Sequence, residues 1–435
     1  MISKIRNIFK IEELRKKIFY TLAILFVFRL VAHVPVPGID SAKLASYFAK
    51  QASNNFLGLL DVFAGGALRR ATILALGIMP YISASIIFQL LTAVIPALEK
   101  LSKEGELGRK KINQYTRYAT VVITLVQSFA LTKWLNSQGF VPNYGWGFII
   151  QTMLTMTAGT MFLLWLGERI SKNGIGNGVS MIIFAGIVAR LPNAAIQTYG
   201  QVFVLNQMNV LQLIFILAMM VGVVLFVVLI QEGQRKIPVR YPKRVVGRKM
   251  TMGQSTYLPL RVNQAGVIPI IFASSILMFP GTLAQFAGGN QNSFLAKLAV
   301  WFAPGSTLYV LVYITLIVFF TYFYTAITMN PRDVADNLKK SGGFIPGVRP
   351  GEATSEHINY ILNRIALPGA LFLASIAILP IILSQQLNIP FAFGGTSVLI
   401  SVGVGLDTVK KIESHLLMRH YDGFTKKGRL GSARR

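Results

Sequence analysis

Apolar runs alternate with polar stretches along almost the whole chain. They cover residues 18–34, 72–96, 115–135, 148–167, 178–193, 209–230, 263–280, 304–328, 365–383 and 391–408. A helix crossing a bilayer needs about 20 mainly apolar residues, because each adds about 1.5 Å toward a hydrocarbon core about 30 Å thick. The pattern predicts an all-α polytopic membrane protein with ten transmembrane helices. The fifth and tenth runs are short and contain glycine, so their ends are weakly marked. One segment does not fit: residues 55–70, NFLGLLDVFAGGALRR, are apolar but too short to span, and Asp61, Gly65 and Gly66 interrupt them. They predict a short half-helix tucked into the outer side, with an interfacial amphipathic helix as the plainer alternative.

Charge sets the orientation. Taking every second loop together with both ends collects 35 of the 43 lysines and arginines. The alternate loops hold only Lys43, Lys50, Arg69, Arg70, Lys133, Arg190 and Lys297. Basic residues are retained on the cytosolic side, so both termini are expected in the cytosol. The basic N-terminus (Lys4 to Lys17) with its following apolar run resembles a signal peptide. No small-residue cleavage site follows it, and a retained first span is the better reading. Ten spans divide into two sets of five with opposite orientation, as inverted repeats require.

Composition narrows the function. Only 14% of residues are charged, yet the formal net charge is +27. Such an excess on loops invites anionic partners such as ribosomal RNA or anionic lipid. There is no cysteine, so thiol chemistry is excluded. All sixteen acidic residues lie outside the expected spans or at their ends, Glu168, Glu232 and Asp407 being those at span ends. Ion-coupled transporters place carboxylates near the midplane. A secondary transporter with inverted repeats is therefore the leading alternative but lacks its chemistry. The histidines, His33, His357, His415 and His420, lie near span ends or in loops and form no HExxH motif. GVGLD, ending at Asp407, is one residue too long for the GxGD of intramembrane proteases, and NGIGNG (Asn173 to Gly178) lacks the strand and lysine of a phosphate loop. It reads as a tight turn. Neither an enzyme nor a bound cofactor is expected. Arg29, the one charge inside a run, is expected to snorkel to the outer interface or to meet a specific partner.

Several blocks then resemble one family. They are VPVPGID (Val34 to Asp40), FAGGALRRATILALGIMPYISASIIFQL (Phe63 to Leu90) and GQRKIPVRYPKR (Gly233 to Arg244). STYLPLRVNQAGVIPIIFASS (Ser255 to Ser275), NPRDVADNLKKSGGFIPGVRPGEAT (Asn330 to Thr354) and FGGTSVLISVGVGLD (Phe393 to Asp407) complete the set. In order and spacing they resemble the SecY family, the pore-forming subunits of Sec protein translocons. The resemblance implies a clamshell of two inverted five-helix halves around an hourglass pore in the bacterial plasma membrane. One half would be residues 18–193 and the other 209–408. An external hinge loop 194–208 would join them, between a basic N-terminus 1–17 and a basic tail 409–435. It also implies passage of unfolded secretory chains and lateral release of apolar segments. The partners would be SecE, SecG, the SecA ATPase or the ribosome, signal peptides, nascent polypeptides and anionic lipids.

Matching blocks carry roles to residues. The resemblance implies a pore ring of Ile78, Ile82, Ile183, Ile271 and Ile400, although an isoleucine in a membrane helix ordinarily faces lipid or core. Ile86 and Ile182 are expected on other helix faces. The plug would be residues 56–70, with Phe56, Leu60, Asp61, Phe63, Gly65 and Gly66. Gln89, Gln127 and Asn263 would line a lateral gate between the second and seventh spans, held by amide bonds between helices; ordinary helix glue is the alternative. Loops 233–261 and 330–356 would dock partners through Arg248, Lys249 and Arg349, the last at a GVRPG tip.

Overall fold

The structure, a computed structural model, describes residues 11–50, 58, 61, 63–204, 209–242, 244–246, 249–251, 255–285, 301–302, 306–387 and 395–431. The first expected span is α1, Glu12–Val31, with Glu12 and Glu13 in its first turn and Arg29 in its last, the polarity that suits the helix dipole. A short helix α2 (Ser41–Lys50) follows. Then come α3 (Met79–Val94) and α4 (Pro96–Lys103), bent by 100° where Ile95 takes the extended conformation favoured before proline. Two long helices, α5 (Glu106–Ser137) and α6 (Trp146–Asn173), come next, followed by the shorter α7 (Gly178–Val188). The α6–α7 connection is the tight turn read from NGIGNG, and Asn177 caps α7 by accepting from the Val179 and Ser180 N–H groups.

Helix α8 (Leu191–Tyr199) runs into a π-helical turn at Gly200–Val204. The stretch expected as a hinge loop is thus helical as far as Val204, and residues 205–208 lie outside the described set. A capping box between Asn209 and Gln212 starts α9 (Val210–Glu232). The remaining helices are α10 (Ile268–Gln285), α11 (Thr307–Thr328), α12 (Pro331–Lys340), α13 (Glu352–Leu387) and α14 (Gly395–Gly431).

Length and apolar composition alone qualify six described helical stretches as spans, or seven with the bent α3–α4 pair. The other three expected spans correspond to α1, α10 and α14. The ends of α1 and α14 carry many charges, and the apolar part of α10 is short. The second span departs most from expectation. Residues 72–78 form turns, and the helix starts only at Met79. Gly77 at φ +58° cannot belong to a right-handed helix, and Pro80 suits a first turn.

Contacts sort the helices into two groups. Helices α1, α3, α5, α6 and α7 pack together, as do α9, α10, α11, α13 and α14. The main seams between the groups are α10 against α3 and α5, and α14 against α7. On α5 a stripe of Thr116, Thr120, Thr124, Ser128 and Thr132 is buried, each hydroxyl donating to a carbonyl three or four residues back. Local bonding of this kind lets small polar side chains enter a helix interface without partners across it. Two of the acids at span ends are paired: Glu168 with Arg117 at 2.7 Å, and Glu232 with Lys410 at 2.8 Å.

Loop 233–261 adds strands to what is otherwise a largely helical set of described residues. β1 (Gln234–Arg240) pairs antiparallel with β4 (Ser255–Arg261), and β2 (Arg244–Val246) with β3 (Lys249–Thr251). Ile237 and Val239 alternate with exposed residues on β1, the period of a half-buried strand. With Leu260, Ile345, Ile358, Ile361 and Leu362 they form a small separate core. The Arg240 and Phe344 backbones exchange hydrogen bonds at 2.9 Å, tying loops 233–261 and 330–356 into one unit.

Candidate functional site

The five isoleucines expected to form the ring come from four helices that share one buried apolar cluster. Ile78 caps α3, Ile82 lies one turn on, and Ile183, Ile271 and Ile400 come from α7, α10 and α14. All five are buried in a single apolar cluster that joins the two helix groups. Ile86 and Ile182 are buried in that same cluster, so neither is a neutral control. Ile86 is four residues after Ile82 and eight after Ile78, so one helix face carries all three. Ile87, 45% exposed, is a sounder control.

The expected plug meets this cluster from one side. Phe56 and Leu60 lie outside the described residues, whereas Gly58, Asp61 and Phe63 are helical. Phe63, Ala64 and Ala67 join the cluster. Gly65 and Gly66 turn the chain at φ +67° and +84°. Gly65 lies so close to Gly186 of α7 that a Cβ on it would sit 2.8 Å from the Gly186 Cα. Gly77 similarly faces the Ala64 backbone.

Polar bonds fasten the segment. Asp61 is 2% exposed; its Oδ1 accepts from the Arg69 N–H at 3.1 Å, and its carbonyl from the Gly66 N–H at 2.9 Å. Its Oδ2 lies 3.5 Å from Nη1 of Arg190. Arg29 has a specific partner: its Nη1 donates to the Gly65 carbonyl at 3.3 Å. His33 accepts from Arg70 at Nε2 and contacts the Arg29 carbonyl through Nδ1. Neither the Asp61–Arg190 pairing nor the Arg29–Gly65 bond follows from the sequence pattern. A lone acid inside an apolar half-helix was the available signal, since a buried carboxylate demands a counter-charge.

At the expected gate, α10 lies against both α3 and α5. The described hydrogen bonds of the polar gate residues are local: Gln89 donates to Ser85 one turn back, and buried Asn263 donates to the Gly266 carbonyl. No described hydrogen bond joins either residue to another helix, so the expectation of interhelical amide bonds does not match the described geometry. Gln127 is half-buried on α5. Of the docking residues, Arg248 lies outside the described set, and Lys249 is described only as backbone of β3. Arg349 is exposed between Gly347 and Gly351, both at positive φ, and its carbonyl accepts from the buried Thr354 hydroxyl at 2.8 Å. The tip is therefore anchored while the Arg349 side chain is exposed.

Comparison with known proteins gives the same grouping. The SecY family model matches residues 72–409. The protein translocase subunit SecY of Aquifex aeolicus is 47% identical, over 97% of this chain and 99% of its own length. That of Escherichia coli K12 is 46% identical, over 96% and 95%. Among solved structures, a protein-conducting channel superposes with a TM-score of 0.63 at 18% identity, covering 92% of each chain. A SecY structure concerned with the plug domain and the closed state gives 0.64 at 18% identity over the same shares. Sec61 from a canine ribosome–channel complex gives 0.59 at 17% identity, again covering 92% of each chain. With its long apolar helices, this chain is a multi-pass membrane protein that belongs to the SecY family of protein-translocation channels, which are not enzymes.

Proposed function

We propose that this chain conducts unfolded polypeptides through a pore sealed by Ile78, Ile82, Ile183, Ile271 and Ile400 and capped by segment 56–70. The supporting observation is the meeting of five isoleucines from four helices in one buried cluster, with the Asp61–Ala67 segment against it. Branched apolar side chains offer a passing ion no ligands and offer a passing chain no fixed hydrogen bonds, so they seal without selecting. The two helix groups are the inverted five-helix halves of a clamshell around an hourglass pore. Ten spans cross the bacterial plasma membrane, and both termini are cytosolic.

The α3–α10 seam, flanked by α5, is the lateral gate, with Gln89, Gln127 and Asn263 along it. Local bonding at Gln89 and Asn263 supports a seam that parts without breaking strong links. A segment facing lipid there partitions by its own composition. Leu, Ile, Phe or Val gains about 0.3–0.6 kcal/mol at a helix centre, and Asp, Lys or Arg costs about 2.5–3.5. Apolar segments leave sideways and polar chain passes through.

Energy comes from a partner. The unit built by loops 233–261 and 330–356 is basic, folded around its own core, and carries Arg349 on an anchored tip, which supports docking of SecA or the ribosome there. SecE, SecG and anionic lipids complete the assembly, and signal peptides with their nascent chains are its cargo. In vesicles carrying the parent protein, a secretory polypeptide should become protease-protected only when a docking partner is supplied. Arg349→Glu, or Arg248→Glu with Lys249→Glu, should lower partner affinity about tenfold, the equivalent of about 1.4 kcal/mol. Undiminished binding and translocation in both variants would remove these residues from the interface.

Topology is directly readable because no native cysteine interferes. Single cysteines at Lys103, Gln254 and Lys340 should react only with cytosolic reagents, and those at Gln138 and Gln291 only with external ones. Reversed labelling at any two of the five sites overturns the ten-span arrangement.

A further inference from the structure

One stripe of α7 and its extension does three things. Ile183, Gly186 and Arg190 are spaced i, i+3, i+7, and the backbone stays right-handed helical through Ala189 and Arg190, so all three share a face. Ile183 enters the apolar cluster, Gly186 lets the Gly65 backbone lie against the helix, and Arg190 faces the Asp61 carboxylate. We propose that Arg190 is the latch of the plug: the Asp61–Arg190 ion pair holds segment 61–69 on α7, and breaking it is the step that frees the segment. The proposal rests on reading segment 56–70 as the plug.

The electrostatic setting makes the pair decisive. Asp61 is almost fully buried, Arg190 is 22% exposed, and their contact is ionic, since Nη1 makes no hydrogen bond in this geometry. A weakly solvated pair without close hydrogen bonds holds two charges together yet separates without dismantling a network. The charged groups around it are otherwise basic. Arg69 acts electrostatically on both Arg29 and Arg190, and Arg70 on Arg29. Among the described residues, Asp61 is the acid that acts against this cluster at Arg190. Without its charge, Arg69, carried by the segment, and Arg190, fixed on the helix, would repel. The bland role, Asp61 as a turn cap, uses only Oδ1 and the backbone carbonyl. It leaves Oδ2 and Arg190 unexplained.

The test uses the full-length protein, in its native complex, in planar bilayers. Asp61→Asn keeps an acceptor for the Arg69 N–H but loses the charge; Arg190→Gln never touches the turn. Each should raise the resting open fraction at least about tenfold. The double variant should leak no more than the worse single one, because both remove one interaction. Lys43→Gln, which alters an exposed pair with Asp40, should stay tight. With Asp61→Cys and Arg190→Cys bridged by a short bis-maleimide, translocation should stop. Parental tightness in Arg190→Gln, or translocation undisturbed by the bridge, overturns the latch. Deleting residues 58–66 separates the two readings. A leaking deletion beside a tight Arg190→Gln sinks the latch alone, and a tight deletion sinks the plug reading with it.

Discussion

Replacing two or more of Ile78, Ile82, Ile183, Ile271 and Ile400 with Gly or Ser raises the resting conductance of bilayers carrying this protein by about tenfold or more. Lowering an ion's barrier by about 1.4 kcal/mol is enough for a factor of ten. An ion entering a narrow apolar ring sheds hydration and receives no ligand in exchange, so the barrier follows the apolar surface and shape of the lining. A serine hydroxyl returns a ligand and a glycine widens the passage. Deleting residues 58–66 should also make the resting channel flicker, partly masked where neighbouring loop fills the gap. Serine at Ile87 or Leu225, both exposed on their helices, should leave conductance near the parental level. Single-channel recording decides the matter: equal leakage from the Ile87 and Leu225 variants, or none from the ring variants, removes these isoleucines from the seal.

The second large effect concerns a glycine far from any polar chemistry. A Cβ on Gly159 of α6 would sit 2.2 Å from the Ile73 carbonyl oxygen and 2.9 Å from its carbon. The obstacle is backbone, which cannot rotate aside as a side chain does. Overpacking ordinarily costs about 1–3 kcal/mol, and Gly159→Ala should lie at or above that upper end. Against a typical total stability of about 5–15 kcal/mol, this shows as a markedly lower melting temperature in detergent and reduced accumulation in the membrane. Gly222→Ala on α9, where a Cβ meets nothing within 4 Å, should be neutral. Equal melting of the two variants would mean that residues 72–78 do not rest on α6 as described.

These expectations also mark what was legible in the chain. Long apolar runs announced most helices, because hydrophobicity is a local property, and the cap at Asn177 and the turn before it were equally local. The break at 72–78 was hidden. ILALGI is as apolar as a helix, and only Gly77 and Pro80 hint that the backbone departs from one. The strands of loop 233–261 were masked by basic charge, although QRKIPVR and STYLPLR alternate. At the candidate site, block matching led to five isoleucines that the fold does gather. It could not reveal that Ile86 and Ile182 join them, although the four-residue spacing from Ile82 would have placed Ile86. Arg190 escaped because its partner lies far away in sequence, and no local pattern couples an acid in one segment to an arginine at the end of a distant helix.

The irregular stretch before α3 bears on how this protein itself reaches its membrane. Helix α3 alone is about 24 Å long at 1.5 Å per residue, shorter than the hydrocarbon layer, so the span proposed here needs backbone without helical bonding at membrane depth beside it. Its N–H and C=O groups are met within the protein: the Ile73 N–H by the Val34 carbonyl, the Ala71 carbonyl by the Val36 N–H, and the Gly77 N–H by the Leu74 carbonyl. Lipid can supply none of these bonds. The surfaces against which the stretch rests, on α6 at Gly159 and on α7 at Gly186 through Gly65, are synthesised later. In the proposed topology, the second span therefore cannot be handed to the bilayer as a finished unit during biogenesis. It has to be kept in a hydrated or protein-lined place until the fourth and fifth spans arrive, and an existing copy of the same kind of channel is one place that could hold it.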